Sequence, residues 1–185
     1  MVSSIPLLIE AATFAAEKHR DQRRKDAAAS PYINHPLAVA RILTVEAGIT
    51  DLVVITAALL HDTIEDTKTT EAELRERFGD EVTKVVLEVT DEKSLPKARR
   101  KQLQIEHAAQ ASRRAKLVKL ADKTANLRDI LHAPPANWAL PRRQEYAVWS
   151  KKVVDALRGE HPKMEEIFDA AYSELVHSMG AEEPA

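Results

Sequence analysis

Hydrophobic residues recur through most of the chain at the three- and four-residue spacing of an α-helix. In the first such segment, residues 7–19, apolar residues recur at Leu8, Ala11, Ala12, Ala15 and Ala16. Apolar residues on one face at this spacing predict a helix that packs on a core along that face. The strongly basic residues 20–30 follow and predict a loop, which is either a solvated connector or an anion-binding lip.

Two further helices are expected in the next 30 residues. The second helix is predicted to begin with Asn34 as its N-cap and Pro36 in its first turn, and to end at Gly48. Thr50 or Asp51 is placed to cap the third helix, whose apolar residues lie on almost every side. A helix that is apolar all round is typical of the centre of a core.

The second half of the chain continues in the same way. Residues 70–73 fit a capping box for a short helix that ends at Gly79. The β-branched residues 85–90 would also suit a strand, but a lone strand has no partner, so a helix is predicted. Later segments predict a partly exposed helix at 97–107, three core helices at 115–131, 138–157 and 164–176, and a frayed tail at 182–185.

This succession predicts an all-α bundle of roughly eight to ten helices. Aromatic residues make up only 4% of the sequence and glycine only 4 residues, which argues against a β-sandwich or barrel. With 185 residues, one domain with a sizeable core is expected over residues 1–185. Its core is predicted at about 8–157 and a C-terminal helix at about 162–178.

Charge and composition restrict the classes of partner. The net charge of −2 offers no general attraction to nucleic acids or anionic membranes, and the absence of cysteine excludes disulfides and thiolate metal sites. No apolar run approaches the roughly 20 residues of a membrane span, and the first residues lack the pattern of a signal peptide. We expect a cytoplasmic protein with no nucleic-acid, membrane or obligate protein partner.

Four ionisable side chains fall within residues 61–66, directly after the most apolar stretch of the sequence, residues 52–60. They are His61, Asp62, Glu65 and Asp66. Negative charge this concentrated at the end of a buried helix is costly unless a cation binds there. The alternative is an ordinary solvated helix end.

Two distant residues favour a metal site over a solvated helix end. His35 opens a helix beside a proline, and Asp122 lies next to the apolar face of a long helix, where an unpaired carboxylate is expensive. A buried salt bridge to a neighbouring Lys or Arg is the alternative for Asp122. Two imidazoles and two carboxylates suit Mn²⁺, Fe²⁺ or Zn²⁺ rather than Ca²⁺.

Spacing divides the roles within residues 61–66. If the helix continues past Asp62, residues four apart share a face, so that Glu65 lies above His61 and Asp66 above Asp62. His61 and Asp62 would then bind the ion, while Glu65 and Asp66 position and deprotonate a water. A metal ion lowers the pKa of water from about 15.7 toward roughly 7, which makes this deprotonation feasible at neutral pH.

Three extended motifs occur in order along the chain. The first joins Arg24-Lys25 to the PYINHP sequence at 31–36, the second is ALLHDTIEDT at 58–67, and the third combines VKLADK at 118–123 with Asn126-Leu127-Arg128. These motifs resemble those of HD-domain metal-dependent phosphohydrolases, and within them the hydrolase half of RelA/SpoT-type alarmone enzymes. From about Leu8 to Leu157 the chain resembles a stand-alone small alarmone hydrolase of the metazoan SpoT-homologue type, without room for a synthetase domain. One departure is the Ala-Ala-Ala-Ser sequence at 27–30, where a glycine and an acid are usual.

The resemblance implies one Mn²⁺ per chain, with Fe²⁺ or Zn²⁺ as substitutes, and a role for each matching residue. The implied metal ligands are His35, His61, Asp62 and Asp122. The implied water-activating carboxylates are Glu65 and Asp66. The implied substrate-binding residues are Arg24 and Lys25 at the base and phosphates, Asn126 near the ribose, Tyr146 as an aromatic wall, and Lys97 and Arg142 as charges on the phosphates.

The reaction implied is removal of the 3′-pyrophosphate of guanosine 3′,5′-bis(diphosphate) (ppGpp) or of pppGpp, giving GDP or GTP and pyrophosphate. A second interpretation is a phosphatase acting on NADPH or another ribose-phosphorylated nucleotide, since a 2′-phosphate presents similar charge. A third, of another class, is a non-catalytic helical module that binds nucleotide or RNA through its basic residues at 20–25 and 99–101.

Overall fold

Helices form almost all the regular structure of the protein. The structure is a computed structural model that describes residues 4–180, so the predicted tail at 182–185 lies outside the described residues. In that range there are nine α-helices and one short π-helical turn at Ile42–Glu46, and two isolated β-bridges but no strand. The helices are α1 (Ser4–Lys18), α2 (Asn34–Arg41), α3 (Leu52–Leu60), α4 (Thr63–Asp66), α5 (Glu71–Val89), α6 (Lys97–Ala108), α7 (Arg113–His132), α8 (Leu140–Asp155) and α9 (Pro162–Ser178). The predicted all-α class is confirmed.

Helix α3 lies at the centre of the bundle, as its all-round apolar pattern predicted. Every residue from Val54 to Leu60 is buried, and α3 packs against α1, α2, α5 and α7. The 20-residue helix α7 forms the second central element and packs most extensively against α9. The end of α3 and the middle of α7 are therefore fixed relative to each other by the core.

Polar contacts tie α7 to the start of α3 and to the π-helical turn at Ile42–Glu46. Asp51 caps α3 by accepting a hydrogen bond of 2.9 Å from the backbone N–H of Val53, and its other oxygen pairs with Arg114 of α7 at 2.8 Å. Further along α7, Arg128 makes a two-pronged pair with Glu46, both distances being 2.9 Å. Such charge-assisted bonds restrict how α7 can rotate or slide against its neighbours.

The start of α2 differs from the prediction. Asn34 is the first residue of the helix, and neither it nor the preceding Ile33 provides a side-chain cap. A turn supplies the bonds instead, because the carbonyls of Pro31 and Tyr32 accept from the backbone N–H groups of Asn34 and His35. The Asn34 side chain is therefore not needed as a cap and is free to line a cleft.

Gly79 interrupts α5 where a helix end was predicted. Its backbone angles are φ 81° and ψ 171°, so the element consists of two helical arms joined at a kink. Thr70 caps the first arm by accepting a hydrogen bond of 3.2 Å from the N–H of Glu73, which confirms the capping box on that side. The second arm is helical through Val89, so the strand alternative for residues 85–90 is excluded.

The polar helix α6 is partly exposed, as predicted, and buries only Ala108. It packs chiefly on α8. Among the described helices, none has the combination of length and apolar composition that a membrane crossing requires.

Replacing Gly79 should destabilise the fold without altering its chemistry. The observed φ and ψ lie in a region open essentially only to glycine, so Gly79→Ala is expected to cost about 1–3 kcal/mol in free energy of unfolding. Urea denaturation provides the measurement. Glu76→Ala, at an exposed position of the same helix, is the matched control and should change stability by less than about 0.5 kcal/mol. Equal midpoints for the two variants would contradict the argument.

Candidate functional site

A cleft of about 600 Å³ lies at the carboxyl end of α3. Its walls come from the loop at 20–30, the start of α2, the segment 61–66, and helices α6, α7 and α8. All the residues that the sequence singled out line this cleft: Arg24, Lys25, His35, His61, Asp62, Glu65, Asp66, Lys97, Asp122, Asn126, Arg142 and Tyr146. The fold thus brings together positions that are more than 100 residues apart in the sequence.

The chain turns where the histidine and the aspartate are presented to the cleft. Helix α3 ends at Leu60 and α4 begins at Thr63, so the uninterrupted helix assumed for the spacing argument does not exist. Thr63 Oγ1 donates a hydrogen bond of 2.7 Å to the carbonyl of Leu60 and so links the two helices across the break. Asp62, with φ −98° and ψ −2°, starts the next turn, and its carbonyl accepts from the N–H of Asp66 at 2.8 Å. The pairing of Asp62 with Asp66 across one turn therefore survives the break.

His61 is held in one tautomer. Its Nδ1 lies 2.8 Å from the carbonyl oxygen of Ala58, which can only accept, so Nδ1 carries a hydrogen. Its Nε2 is buried, has no hydrogen-bond partner and lies 3.0 Å from Asp62 Oδ2. A lone pair on Nε2 facing a carboxylate is unfavourable unless a cation, either a proton or a metal ion, lies between them.

The pKa of His61 depends on its burial and on the carboxylates beside it. Burial lowers it, but the Asp62 and Asp122 carboxylates act in the opposite direction and raise it to about 9. The site therefore attracts positive charge at neutral pH.

His35 completes the buried pair of imidazoles. Its Nε2 lies 3.1 Å from Asp122 Oδ1 and 3.8 Å from Asp62 Oδ2, and its ring centroid is 5.2 Å from that of His61. His35, His61 and Asp62 each offer one ligand atom, and these three atoms lie within 4.8 Å of one another. Asp122 Oδ1 is 3.9 Å from His61 Nε2. Nitrogen and oxygen donors from three separate elements thus converge on one point.

Asp122 both forms a salt bridge and faces the histidines, so it agrees with each of the two interpretations that the sequence left open. One oxygen, Oδ2, accepts a hydrogen bond of 3.0 Å from the buried amine of Lys123, which is the salt bridge offered as the alternative. The other, Oδ1, faces the histidines and accepts from Asn126 Nδ2 at 2.6 Å. Burial raises the pKa of Asp122, but Lys123 and His35 hold it well below its usual range. The carboxylate therefore remains charged.

Glu65 and Asp66 lie beside this cluster with different partners. Glu65 Oε2 accepts a hydrogen bond of 3.1 Å from the N–H of Asp91, and Oε1 lies 3.6 Å from Arg100. Burial raises the pKa of Glu65 to about 7. Asp66 Oδ2 accepts from Gln22 Nε2 at 2.9 Å, and Oδ1 pairs with Lys93.

Tyr32 and Lys123 are among the supporting residues that were missed from the sequence. Tyr32 donates a hydrogen bond of 2.6 Å to Asp62 Oδ2, and burial together with Asp62 raises the pKa of its hydroxyl, so it remains a donor. Lys123 holds Asp122. Both lie inside the motifs quoted above, but a tyrosine or lysine alone signals only packing or solvation, and its partner becomes visible only in the fold.

Basic residues also line the cleft. Arg24 already pairs with Asp129 and donates to Asn126 Oδ1 at 3.3 Å. Within the described residues, Lys25, Lys97 and Arg142 form no ion pair with a carboxylate. Burial and the nearby Arg142 and Lys25 lower the pKa of Lys97, although Glu145 acts in the opposite direction. Cations therefore outweigh anions around Lys97.

Aromatic rings form a third part of the cleft. Tyr146 lies between two tryptophans, with ring centroids 5.5 Å from Trp138 and 5.2 Å from Trp149. Arg142 lies over the Trp138 ring at 4.5 Å. Only Tyr146 was singled out from the sequence, although the grouping of both tryptophans near it, on a chain with few aromatics, was a usable signal.

The loop between Lys25 and Pro31 contains an alanine in a conformation that favours glycine. Ala29 has φ 48°, a left-handed conformation that alanine adopts at a cost and glycine does not. Asp26 holds the loop by accepting from the Ser30 backbone N–H at 3.0 Å and from its hydroxyl at 2.6 Å. The loop thus keeps a glycine-like turn without the glycine.

Known proteins resemble the chain over most of its length. The sequence pattern described as HD domain matches residues 11–152. The guanosine-3′,5′-bis(diphosphate) 3′-pyrophosphohydrolase MESH1 of Xenopus tropicalis is 57% identical over 165 residues, which cover 89% of this chain and 92% of that protein. The protein of the same name from Homo sapiens is 57% identical over 166 residues, covering 90% and 93%.

A solved structure agrees with these sequence matches. It is described as a metazoan ortholog of SpoT that hydrolyzes ppGpp and plays a role in starvation responses, and it matches with a TM-score of 0.88 at 50% identity, covering 91% of this chain and 94% of that one. Sequence pattern, relatives and fold thus agree, and the chain belongs to the HD domain family.

Proposed function

We propose that this protein hydrolyses guanosine 3′,5′-bis(diphosphate), and its 5′-triphosphate analogue, at the 3′ position and releases pyrophosphate. The observation that carries the proposal is that one cleft holds both a buried cluster of histidines and carboxylates and a set of cations that form no ion pair within the described residues. Such a cleft accommodates a highly anionic substrate while keeping its own carboxylates next to the reacting bond. The MESH1 relatives, which are named for the same reaction, support it.

The residues at the end of α3 suit a divalent metal ion. The buried, unpartnered Nε2 of His61 and the mixed nitrogen and oxygen donors fit Mn²⁺, with Fe²⁺ or Zn²⁺ as substitutes. His35, His61, Asp62 and Asp122 would hold it, one ion per chain. The chemistry that such an ion supplies is Lewis acidity, which polarises a phosphate oxygen and lowers the pKa of water.

Glu65 and Asp66 serve as the proton acceptors for the attacking water. Glu65, with a pKa raised to about 7, exists in both protonation states near neutral pH and can take a proton and return it. The water attacks the 3′-phosphorus, the bond from that phosphorus to the ribose 3′ oxygen breaks, and the 3′ oxygen receives a proton. Pyrophosphate leaves as a unit, and no protein nucleophile takes part.

The remaining walls orient the substrate. Lys25, Lys97 and Arg142 bind the phosphates, since they line the cleft and form no ion pair with any carboxylate of the described residues. Tyr146 offers a ring face to the nucleotide, and Asn126 lies between Asp122 and Arg24, where it can reach the ribose. The single domain over residues 1–185, the cytoplasmic location and the absence of nucleic-acid, membrane or obligate protein partners stay predictions.

The products of the reaction test the proposal directly. The protein, supplied with MnCl₂ and ppGpp, should release GDP and pyrophosphate in equal amounts, measured by ion-exchange chromatography. NADPH, assayed in parallel, tests the alternative phosphatase, which would release inorganic phosphate. Release of inorganic phosphate from ppGpp, or no reaction, would contradict the proposal. Metal-free purified protein with steeply salt-dependent RNA binding would instead favour the non-catalytic module.

Substitutions should separate metal retention from turnover. His61→Ala and Asp62→Ala are expected to lose both the bound metal and the activity, because each removes a ligand. Glu65→Ala should keep the metal and lose turnover by roughly 10²- to 10⁴-fold, the usual contribution of a general base. Elemental analysis after gel filtration and the ppGpp assay provide the measurements, with Glu76→Ala as control. Full turnover in Glu65→Ala would remove that residue from the mechanism.

The raised pKa of Glu65 should also appear as pH-dependent stability of the metal-free protein. In the folded state the pKa of Glu65 is about 7, above its ordinary value of 4.5. The group therefore stabilises the fold at pH values below about 4.5, and this contribution is lost as pH rises through 7. Glu65→Gln cannot lose a proton, so its urea midpoint should exceed that of the wild type increasingly between pH 5 and 8. Midpoints that stay parallel, as expected for the exposed control Glu76→Gln, would show that Glu65 titrates normally.

A further inference from the structure

His19 is a buried histidine that the proposed reaction does not use. It directly follows α1, its side chain is 2% exposed, and it does not line the cleft. Its Nδ1 lies 2.7 Å from Gln22 Oε1, while its Nε2 is buried without a hydrogen-bond partner. A buried imidazole with one unsatisfied nitrogen costs stability. The hydrogen bond that the other nitrogen makes with Gln22 therefore calls for an explanation.

Gln22 connects this histidine to the cleft. Its side-chain Nε2 donates a hydrogen bond of 2.9 Å to Asp66 Oδ2. Because an ionised carboxylate only accepts hydrogen bonds, the amide nitrogen must face Asp66, and the amide oxygen must then face His19. His19 Nδ1 therefore carries the hydrogen in this contact. The donor on His19 and the acceptor on Asp66 together leave the amide one orientation.

The other oxygen of Asp66 is held less firmly. Its partner, Lys93, has a side chain that is 50% exposed and belongs to the loop between α5 and α6. An exposed lysine on a flexible stem fixes a carboxylate poorly, since solvent screens the pair and side-chain entropy opposes it. The direction of the Asp66 carboxylate thus depends mainly on Gln22.

A second contact leads from His19 toward the site. Its ring lies on Tyr32, with centroids 4.7 Å apart and an angle of 31° between the planes, and Tyr32 donates to Asp62. The ring and the Nδ1 hydrogen of His19 thus support different carboxylates. The two contributions can be separated by substitution.

We propose that His19 is a positioning residue, which orients the Asp66 carboxylate toward the attacking water by fixing the side-chain amide of Gln22. The proposal rests on the proposed function, in which Asp66 helps to activate that water. His19 acts through Gln22 and contacts neither the substrate nor the reacting atoms.

A matched pair of variants tests the proposal. His19→Phe keeps a ring against Tyr32 but has no donor, whereas His19→Asn loses the ring but carries a side-chain nitrogen the same number of bonds from Cα as Nδ1. His19→Phe should lower kcat for ppGpp about tenfold or more, since a misplacement of about 1 Å can cost on the order of 10²-fold. Its KM and metal content should stay within about twofold of the wild type. His19→Asn should retain most of kcat.

The opposite ranking, or equal losses in both variants, would assign His19 to packing and overturn the proposal. Gln22→Met provides a second route if His19→Phe fails to fold, because it removes both hydrogen bonds at a partly exposed position while keeping the side-chain length. It should reproduce the loss of kcat, and the double variant with His19→Phe should lose no more than either alone. Normal kcat in Gln22→Met would equally overturn the proposal.

Nitrogen NMR distinguishes failure of this inference from failure of the proposed function. In ¹⁵N-histidine-labelled protein, His19 Nδ1 should carry a hydrogen, and Gln22→Met should shift the ring signals of His19 while leaving those of the distant His161 unchanged. If the wild type does not hydrolyse ppGpp, the proposed function fails, and the NMR result alone decides whether the hydrogen-bonded chain exists. A His19 Nδ1 without hydrogen in the wild type would overturn it.

Discussion

The structure depends on keeping two carboxylates charged beside two buried imidazoles. The side chains of Asp62 and Asp122 are 18% and 16% exposed, so each loses much of the hydration that favours ionisation. Neighbours replace that hydration: Tyr32 donates to Asp62, whereas Lys123 and Asn126 donate to Asp122. The pKa of Asp62 is lowered despite burial, because His61 and His35 outweigh the desolvation. Charge at this point is thus maintained by partners from the turn before α2, the start of α2, the end of α3 and the middle of α7, which explains why the core must hold these segments rigidly.

The sequence predicts the helices well because their signals are local. Apolar spacing placed the helices, and side-chain caps at Asp51 and Thr70 marked where two of them begin. The sequence-based prediction failed at Asn34, where backbone carbonyls of the preceding turn accept the hydrogen bonds expected of a side-chain cap. It also failed at residues 61–62, where the helix breaks. In both places the deciding hydrogen bonds depend on the backbone conformation of a turn. No residue type in these segments predicts that conformation uniquely.

The candidate site was predictable in part for a different reason. Histidines and acids at unusual positions stand out in a sequence, so the candidate metal ligands and water-activating carboxylates could be named from the residues themselves. The substrate-binding candidates were named only through the family resemblance. The supporting partners could not be named in advance, because Tyr32, Lys123 and Gln22 are residue types that occur anywhere and acquire their meaning from contacts across the fold. Gln22 and Asp66 are 44 residues apart, and only packing brings them together.

The cations that line the cleft differ in how their charges are balanced. Arg24 is already paired with Asp129, so an anion that binds it must share or displace that carboxylate, which offsets part of the attraction. Within residues 4–180, Lys25, Lys97 and Arg142 form no ion pair with a carboxylate, and the repulsion of Lys97 by Arg142 and Lys25 is relieved when an anion binds. These three cations therefore contribute more to affinity for a polyanion than Arg24, whose paired and partly buried guanidinium is better suited to fixing orientation.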